Sequence, residues 1–142
     1  MHIRHIYTPD QSLSVQLPYF TTGIQAGFPS PADDFVDTKL DLNEYLVKHP
    51  AATFFVRVSG DSMTGAGIYD NDILIVDRSL EARQGMIIIA ALDGELTVKR
   101  LKKRGDTIIL SPENERYEPI VVTEEADFSV WGVVTAVIHK PS

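Results

Sequence analysis

The chain has 142 residues, a formal net charge of −7 and no cysteine. This length fits one domain with a hydrophobic core and an appended arm. The lack of cysteine excludes disulfides and thiolate chemistry and is compatible with the cytoplasm. The acidic balance argues against a broad nucleic-acid-binding surface. No apolar run approaches about 18 residues and the start does not resemble a secretory signal, so we expect neither a membrane span nor export.

Residues 1–40 differ in composition from the rest of the chain. They hold half of the eight prolines and few charges before Asp33. Because they show no sustained helix or strand period, we predict an N-terminal arm that is extended or partly disordered when free. Phe20 and Phe28 are too apolar for an inert linker, so we expect the arm to pack on something. Residues 41–142 are predicted to form a β-rich domain.

One short helix is predicted at the start of this domain. Asp41 can cap its N-terminus, and Glu44 sits at the capping-box position. Pro50 ends it, with Lys48 and His49 in its last turn. The apolar side chains that share one face are Leu42, Tyr45 and Leu46.

After Pro50 the pattern favours strands. Asp93-Gly94 separates two apolar segments and is a strong hairpin signal. Short strands divided by turns predict a compact, mostly antiparallel β fold. The predicted strands span residues 53–58, 73–76, 86–92, 95–101, 107–110, 120–122 and 128–134.

A glycine-rich segment between two predicted strands carries the candidate nucleophile. In Ser59-Gly60-Asp61-Ser62-Met63-Thr64-Gly65, the glycines permit a sharp bend that lifts the Ser62 hydroxyl out of a sheet. A serine needs a nearby base, and the four histidines are badly placed in the sequence. A lysine can serve when burial lowers its pKa. An exposed serine in a glycine-rich turn remains the alternative.

Lys99 is the candidate base. Alternation along residues 95–101 places Lys99 and Arg100 on opposite faces of the strand, so only one of them can meet Ser62. Arginine does not lose its proton in proteins, whereas lysine can. An ordinary solvated lysine remains the alternative, since spacing does not show contact. The basic cluster 99–104 fits a solvated hairpin end or a docking patch for an acidic partner.

Residues 23–137 closely resemble the LexA/UmuD-type self-cleaving serine peptidases. This resemblance implies a LexA/UmuD C-terminal-like β fold and a peptidase domain over residues 41–142. The matching segments are Ala26-Gly27-Phe28-Pro29-Ser30-Pro31-Ala32, Asp41-Leu42-Asn43, Ser59-Gly60-Asp61-Ser62-Met63, Asp72-Ile73-Leu74-Ile75-Val76-Asp77, Asp93-Gly94-Glu95-Leu96-Thr97-Val98-Lys99 and Trp131-Gly132-Val133-Val134.

The resemblance also implies residue roles. Ser62 is the nucleophile and Lys99 the general base of a serine–lysine dyad, and the chain cleaves itself between Ala26 and Gly27. The backbone N–H groups of Ser62 and Asp61 are expected to hold the oxyanion, while the Asp61 carboxylate has a structural role in the turn. Phe20 and Phe28 become candidate anchors for the arm. We expect no cofactor and no metal.

Partners follow from the same resemblance. The family implies cleavage stimulated by the RecA filament on single-stranded DNA, then a processed homodimer that serves a UmuC-like Y-family polymerase in error-prone lesion bypass. Direct sequence-specific DNA binding is not expected, because the proline-interrupted first 40 residues cannot build a helix-turn-helix. The segment Phe128–Ile138 is apolar enough to pair across a two-fold axis, or to be a core strand instead.

Two other functions remain open. A non-catalytic dimeric adaptor of the polymerase could keep the fold, although Ser62, Lys99 and Ala26-Gly27 are all present. A signal-peptidase-like enzyme that cuts other proteins would need a membrane anchor, which we do not expect here.

Overall fold

The computed structural model describes residues 1–9, 16–20 and 36–141. These residues form ten strands and one α-helix. They divide into two compact units, Met1–Pro9 with His49–Ser142, and Asp10–Lys48. The elements in chain order are β1 (His2–Tyr7), β2 (Gln16–Phe20), β3 (Val36–Asp41), α1 (Leu42–Leu46), β4 (Thr53–Ser59), β5 (Ile73–Asp77), β6 (Ile87–Leu92), β7 (Glu95–Arg104), β8 (Thr107–Ser111), β9 (Ile120–Val122) and β10 (Phe128–Ile138).

The larger unit is an eight-stranded antiparallel sheet that closes on itself. The strand order is β1-β4-β5-β10-β6-β7-β8-β9, and β1 also pairs with β7. Six strands therefore form a closed circuit, with β8 and β9 continuing the sheet beyond β7. All seven predicted strands are present, and the predicted antiparallel β fold is confirmed. Asp93 and Gly94 both have positive φ, 49° and 86°, as a tight hairpin turn requires.

Apolar side chains on successive strands form two buried hydrophobic clusters. The larger cluster draws on β4, β5, β6 and β7, and on Met1 at the start of the chain. The smaller one contains Ile88, Ala90, Leu101, Leu110 and Val133. Central strands contribute to both clusters, which explains why they read as nearly continuous apolar runs. No helix among the described residues is long and apolar enough to cross a membrane.

Strand β10 lies inside the sheet. It pairs with β5 on one side and with β6 on the other. The core-strand interpretation of Phe128–Ile138 fits this position in the sheet. Residues 133–138 pair with β5 and residues 128–133 with β6, so part of each edge has no strand partner among the described residues, and pairing across a two-fold axis stays a prediction.

The smaller unit contains a hairpin and the helix. β2 pairs with β3 antiparallel, from Gln16↔Asp41 to Phe20↔Val36. Asp41 caps α1 as predicted, because its side chain accepts from the N–H groups of Asn43 and Glu44.

Helix α1 is shorter than predicted. It ends at Leu46, so Lys48 and His49 do not lie in its last turn. Val47 is already extended, with φ −116° and ψ 97°. Lys48 Nζ still donates to the Glu44 carbonyl at 3.2 Å, which satisfies one carbonyl near the helix end.

The described residues within the range 1–40 contain more regular structure than the sequence predicts. No strand is expected there, yet β1, β2 and most of β3 lie within this range. The compact units also divide after residues 9 and 48 instead of residue 40. In β1 the reason is exposure: Met1 is buried and Ile3 half-buried, but the following residues face solvent and leave no alternating pattern.

Candidate active site

Ser62 lies in a tight loop that follows β4. Gly60 has φ +103°, a left-handed conformation that turns the chain sharply after the strand. Ser62 is only 2% exposed, so it is not the solvent-facing serine of the alternative interpretation. Its carbonyl accepts from the Glu113 N–H at 2.8 Å, and the Gly65 N–H donates to the Glu113 carbonyl at 2.7 Å. The segment before β9 therefore holds this loop in place.

The Asp61 side chain points to groups that fix the loop. Its carboxylate accepts a hydrogen bond from the Tyr117 hydroxyl, and Arg116 lies 3.8 Å from it. The Asp61 carbonyl accepts from Asn114 Nδ2 at 2.8 Å. These contacts agree with a structural role for the carboxylate. Among the described residues, no protein group accepts from the N–H of Asp61 or Ser62.

Lys99 is buried in β7, with 7% of its surface exposed. Its Nζ donates to Thr97 Oγ1 at 3.0 Å and to the Val98 carbonyl at 3.2 Å. Burial lowers the pKa of Lys99 below its usual range, and a hydrogen bond with the Met1 amino group opposes this shift. Lys99 is therefore not the solvated strand lysine of the alternative interpretation.

Arg100 points elsewhere, as alternation predicts. Its Nε donates to Glu113 Oε1 at 2.5 Å, and its Nη1 donates to the Gly85 carbonyl at 2.6 Å. The arginine thus ties β7 to the segment that holds the Ser62 loop, while the lysine faces the buried site.

The Met1 amino group joins the two candidate residues. It donates to Ser62 Oγ at 2.7 Å, and it lies close enough to Lys99 for the lysine charge to influence its pKa. Burial and the nearby Lys99 charge together lower the pKa of this amine from 8.0 to about 5, although Asp61 opposes the shift. In the described part of the chain, Ser62 Oγ and Lys99 Nζ make no direct hydrogen bond with each other.

The sequence gives no signal for this role of Met1. An initial methionine has no distinguishing chemistry, and its position beside Ser62 is set by backbone pairing. The Met1 carbonyl accepts from Thr97 Oγ1 at 3.0 Å and from the Val98 N–H at 3.5 Å. Thr97 thus contacts both Lys99 and Met1, a bridging position that spacing alone did not reveal.

The predicted cleavage residues are not part of the described site. Ala26, Gly27 and Phe28 lie outside the described residues, and Phe20 is the last residue of β2. Two histidines are engaged with carboxylates: His49 Nδ1 is 2.5 Å from Asp77 Oδ2, and His139 Nδ1 is 2.5 Å from Asp72 Oδ1.

Comparison with known proteins places the chain in a family. The Peptidase S24-like family matches residues 18–135. SamA of Salmonella typhimurium strain LT2 is 50% identical over 123 residues, which cover 87% of this chain and 85% of that protein. MucA of Escherichia coli is 43% identical over 127 residues, 88% of this chain and 86% of MucA. The LexA repressor of Pectobacterium carotovorum is 41% identical over 118 residues, 82% of this chain and 58% of the repressor. The chain therefore belongs to the Peptidase S24-like family.

Proposed function

We propose that the protein is a self-cleaving serine peptidase that cuts its own chain between Ala26 and Gly27. Ser62 is the nucleophile and Lys99 the general base. The observation that carries the proposal is that both side chains are buried beside one small group, the Met1 amine, which donates to Ser62 Oγ and whose pKa is lowered by burial and by the nearby Lys99 charge. They therefore line the same site, and a peptide group placed there would meet both of them.

The chemistry follows from the environment of Lys99. Its lowered pKa raises the fraction of neutral amine, which can take the proton from the Ser62 hydroxyl. Ser62 Oγ then bonds to the Ala26 carbonyl carbon, the bond from that carbon to the Gly27 nitrogen breaks, and the proton passes from Lys99 to the Gly27 amine. Water hydrolyses the resulting ester, with Lys99 again as base.

The oxyanion requires donors near Ser62. The N–H groups of Ser62 and Asp61 are the candidates, since neither donates to another group among the described residues. The hydrogen bonds from Glu113 and Asn114 to the adjacent carbonyls fix the orientation of these peptide groups. A preorganised donor pair of this kind favours the transition state over the substrate.

The biological setting we propose is SOS mutagenesis. The similarity to MucA, SamA and the LexA repressor supports a chain whose cleavage is stimulated by the RecA filament on single-stranded DNA. The processed protein then acts in the cytoplasm as a homodimer and as the accessory subunit of an error-prone, UmuC-like Y-family polymerase. Part of each edge of β10 has no strand partner among the described residues, so this strand is a candidate surface for the dimer.

The test is slow cleavage of the purified chain at alkaline pH. We expect two fragments that mass spectrometry assigns to a cut after Ala26. Ser62→Ala should remain intact under the same conditions. The control is Ser79→Ala, which should cleave normally because the Ser79 hydroxyl donates a hydrogen bond to Asp77, not to a group of the candidate site. Cleavage of Ser62→Ala at the wild-type rate, or no cleavage of the wild type even with the RecA filament, would refute the peptidase.

A further inference from the structure

Strand β1 lies between β4, which leads into the Ser62 loop, and β7, which carries Lys99. It pairs with β4 from His2↔Ser59 to Tyr7↔Phe55. It also pairs with β7 at His2↔Thr97. Ser62 follows directly after β4 and Lys99 is on β7. A substrate strand that meets both side chains must therefore enter the space that β1 fills.

Met1, which directly precedes β1, occupies the reacting position itself. Met1 is 6% exposed, its carbonyl is held by Thr97 and Val98, and its amine lies 2.7 Å from Ser62 Oγ. Attack requires the substrate carbonyl carbon to come within about 3 Å of that oxygen. The Met1 amine and a scissile carbonyl cannot both stand there, because protein interiors are close-packed.

From this geometry we infer that β1 is an autoinhibitory strand that competes with the chain's own cleavage segment for the active site. Ser62 becomes acylated only after Met1 has moved away from the Ser62 hydroxyl. The inference rests on the proposed self-cleavage and adds a regulatory step to it. Cleavage of the intact chain is then slow because only the fraction of molecules with β1 displaced can react.

The attachment of β1 is suited to reversible release. Apart from Met1, only Ile3 is even partly buried in the strand. The pairing with β4 is interrupted between Ile3 and His5, and β7 is met at one position only. Segments with few buried apolar contacts open at the low end of a protein's local stability range. Neither Ser62 nor Lys99 would have to move when β1 leaves.

The first test lengthens the chain without changing any residue of the domain. A short Gly/Ser extension before Met1 places a peptide group where the amine contacts Ser62 and Lys99, which expels Met1 from the site. We expect the extended chain to cleave itself roughly tenfold faster at alkaline pH, since a larger fraction is competent. The same extension after Ser142 is the control and should leave the rate unchanged. Equal rates for the two extended chains overturn the inference.

A matched pair of substitutions on β1 gives a second test. Ile3→Asp places a charge at the half-buried position, whereas Ile6→Asp places the same charge at an exposed position of the same strand. We expect Ile3→Asp to speed cleavage by about tenfold and Ile6→Asp to change it far less. A variant that merely weakened the fold would cleave more slowly, so slower cleavage of Ile3→Asp contradicts the inference.

A readout that needs no cleavage separates this inference from the proposed function. In Ser62→Ala, hydrogen–deuterium exchange of the N-terminal peptide should be slow, and it should become fast when the extension precedes Met1. Fast exchange in both chains shows that β1 does not hold the site, whether or not the protein is a peptidase. If the wild-type chain never cleaves while its N-terminal peptide exchanges slowly, the proposed peptidase activity is refuted, together with the inhibitory role that depends on it. The position of β1 between β4 and β7 would still be supported by the slow exchange.

Discussion

Gly65 and Glu113 are in direct backbone contact beside the nucleophile. The Gly65 N–H donates to the Glu113 carbonyl at 2.7 Å, and a Cβ added to Gly65 would stand 2.6 Å from the same oxygen. Because the Glu113 N–H also donates to the Ser62 carbonyl, this contact positions the Ser62 loop. The glycine is needed here for space, since no side chain fits between the two backbones.

Gly65→Ala should therefore slow self-cleavage and destabilise the protein by about 1–3 kcal/mol, as overpacking does. Chemical denaturation measures the second effect and a cleavage time course the first. Gly94→Ala is the control: its φ of 86° makes it strained too, but no atom lies within 4 Å of the added Cβ. It should lose stability without a matching loss of cleavage in the folded protein. Wild-type stability and rate for Gly65→Ala would show that the loop adapts freely.

Lys99→Arg tests the need for a base that loses its proton. Arginine keeps the positive charge but does not deprotonate, so we expect cleavage to fall at least about 100-fold. Lys103→Arg, at an exposed position of the same strand, should cleave normally.

The pH dependence of wild-type cleavage should follow the titration of Lys99. Since burial lowers the pKa of Lys99 from 10.5, the neutral amine is gained as pH rises through the lowered value. The rate should increase with pH and level off below pH 10.5. A cleavage rate that is flat across the alkaline range would contradict Lys99 as the base.

Thr97→Val removes the hydroxyl that Lys99 Nζ contacts at 3.0 Å. We expect the lysine to lose its fixed orientation and cleavage to slow by roughly tenfold, with the β fold kept because valine suits a strand. Thr97→Ser restores the hydroxyl and should restore most of the rate. If Thr97→Val and Thr97→Ser cleave equally fast, the hydroxyl does not position Lys99.

The Met1 amine should titrate far below an ordinary α-amine. When β1 is paired in the sheet, burial and Lys99 lower the pKa of this amine from 8.0 to about 5. Between pH 5 and pH 8 the amine is therefore more protonated when β1 is displaced than when it is paired. The paired position of β1 is therefore most stable near pH 8, and its stability relative to the displaced state decreases as pH falls toward 5. The pH dependence of amine acylation by a small reagent measures the pKa, and Lys99→Met should shift it upward. An unshifted amine near 8.0 in the wild type would contradict the buried seat.

Asp77 links the start of β4 to β5 and should protect the protein against acid. Burial raises its pKa, but hydrogen bonds from Ser79 and His49 outweigh this and lower the pKa below 3.8. Its stabilising contribution is therefore complete above pH 3.8 and lost as pH falls through the lower folded value. Asp77→Asn should lose about 1–3 kcal/mol at neutral pH in chemical denaturation. Asp106→Asn, at an exposed turn, should lose little; equal losses would show that the Asp77 contacts carry no stability.

Most of the sheet can be predicted from sequence because its strands bury apolar residues. β4 to β8 read directly as β-branched or apolar segments, and Asp93-Gly94 marks a turn that needs positive φ twice. β1 escapes prediction because exposed basic and aromatic residues follow Ile3 and the strand is held by pairing with its neighbours. The end of helix α1 was also beyond the local signals, since Pro50 permits a helix up to its predecessor but does not require one.

The sequence by itself determined the fold class, the family and the identity of Ser62 and Lys99 as candidates, since apolar alternation and residue chemistry are local properties. Only the tertiary structure decided that Lys99 is buried, that Thr97 contacts both Lys99 and Met1, and that the amine of Met1 meets Ser62. Met1 and Ser62 are 61 positions apart. Their contact depends on β1 closing the circuit between β4 and β7, and strand pairing at such separation leaves no local pattern in the chain.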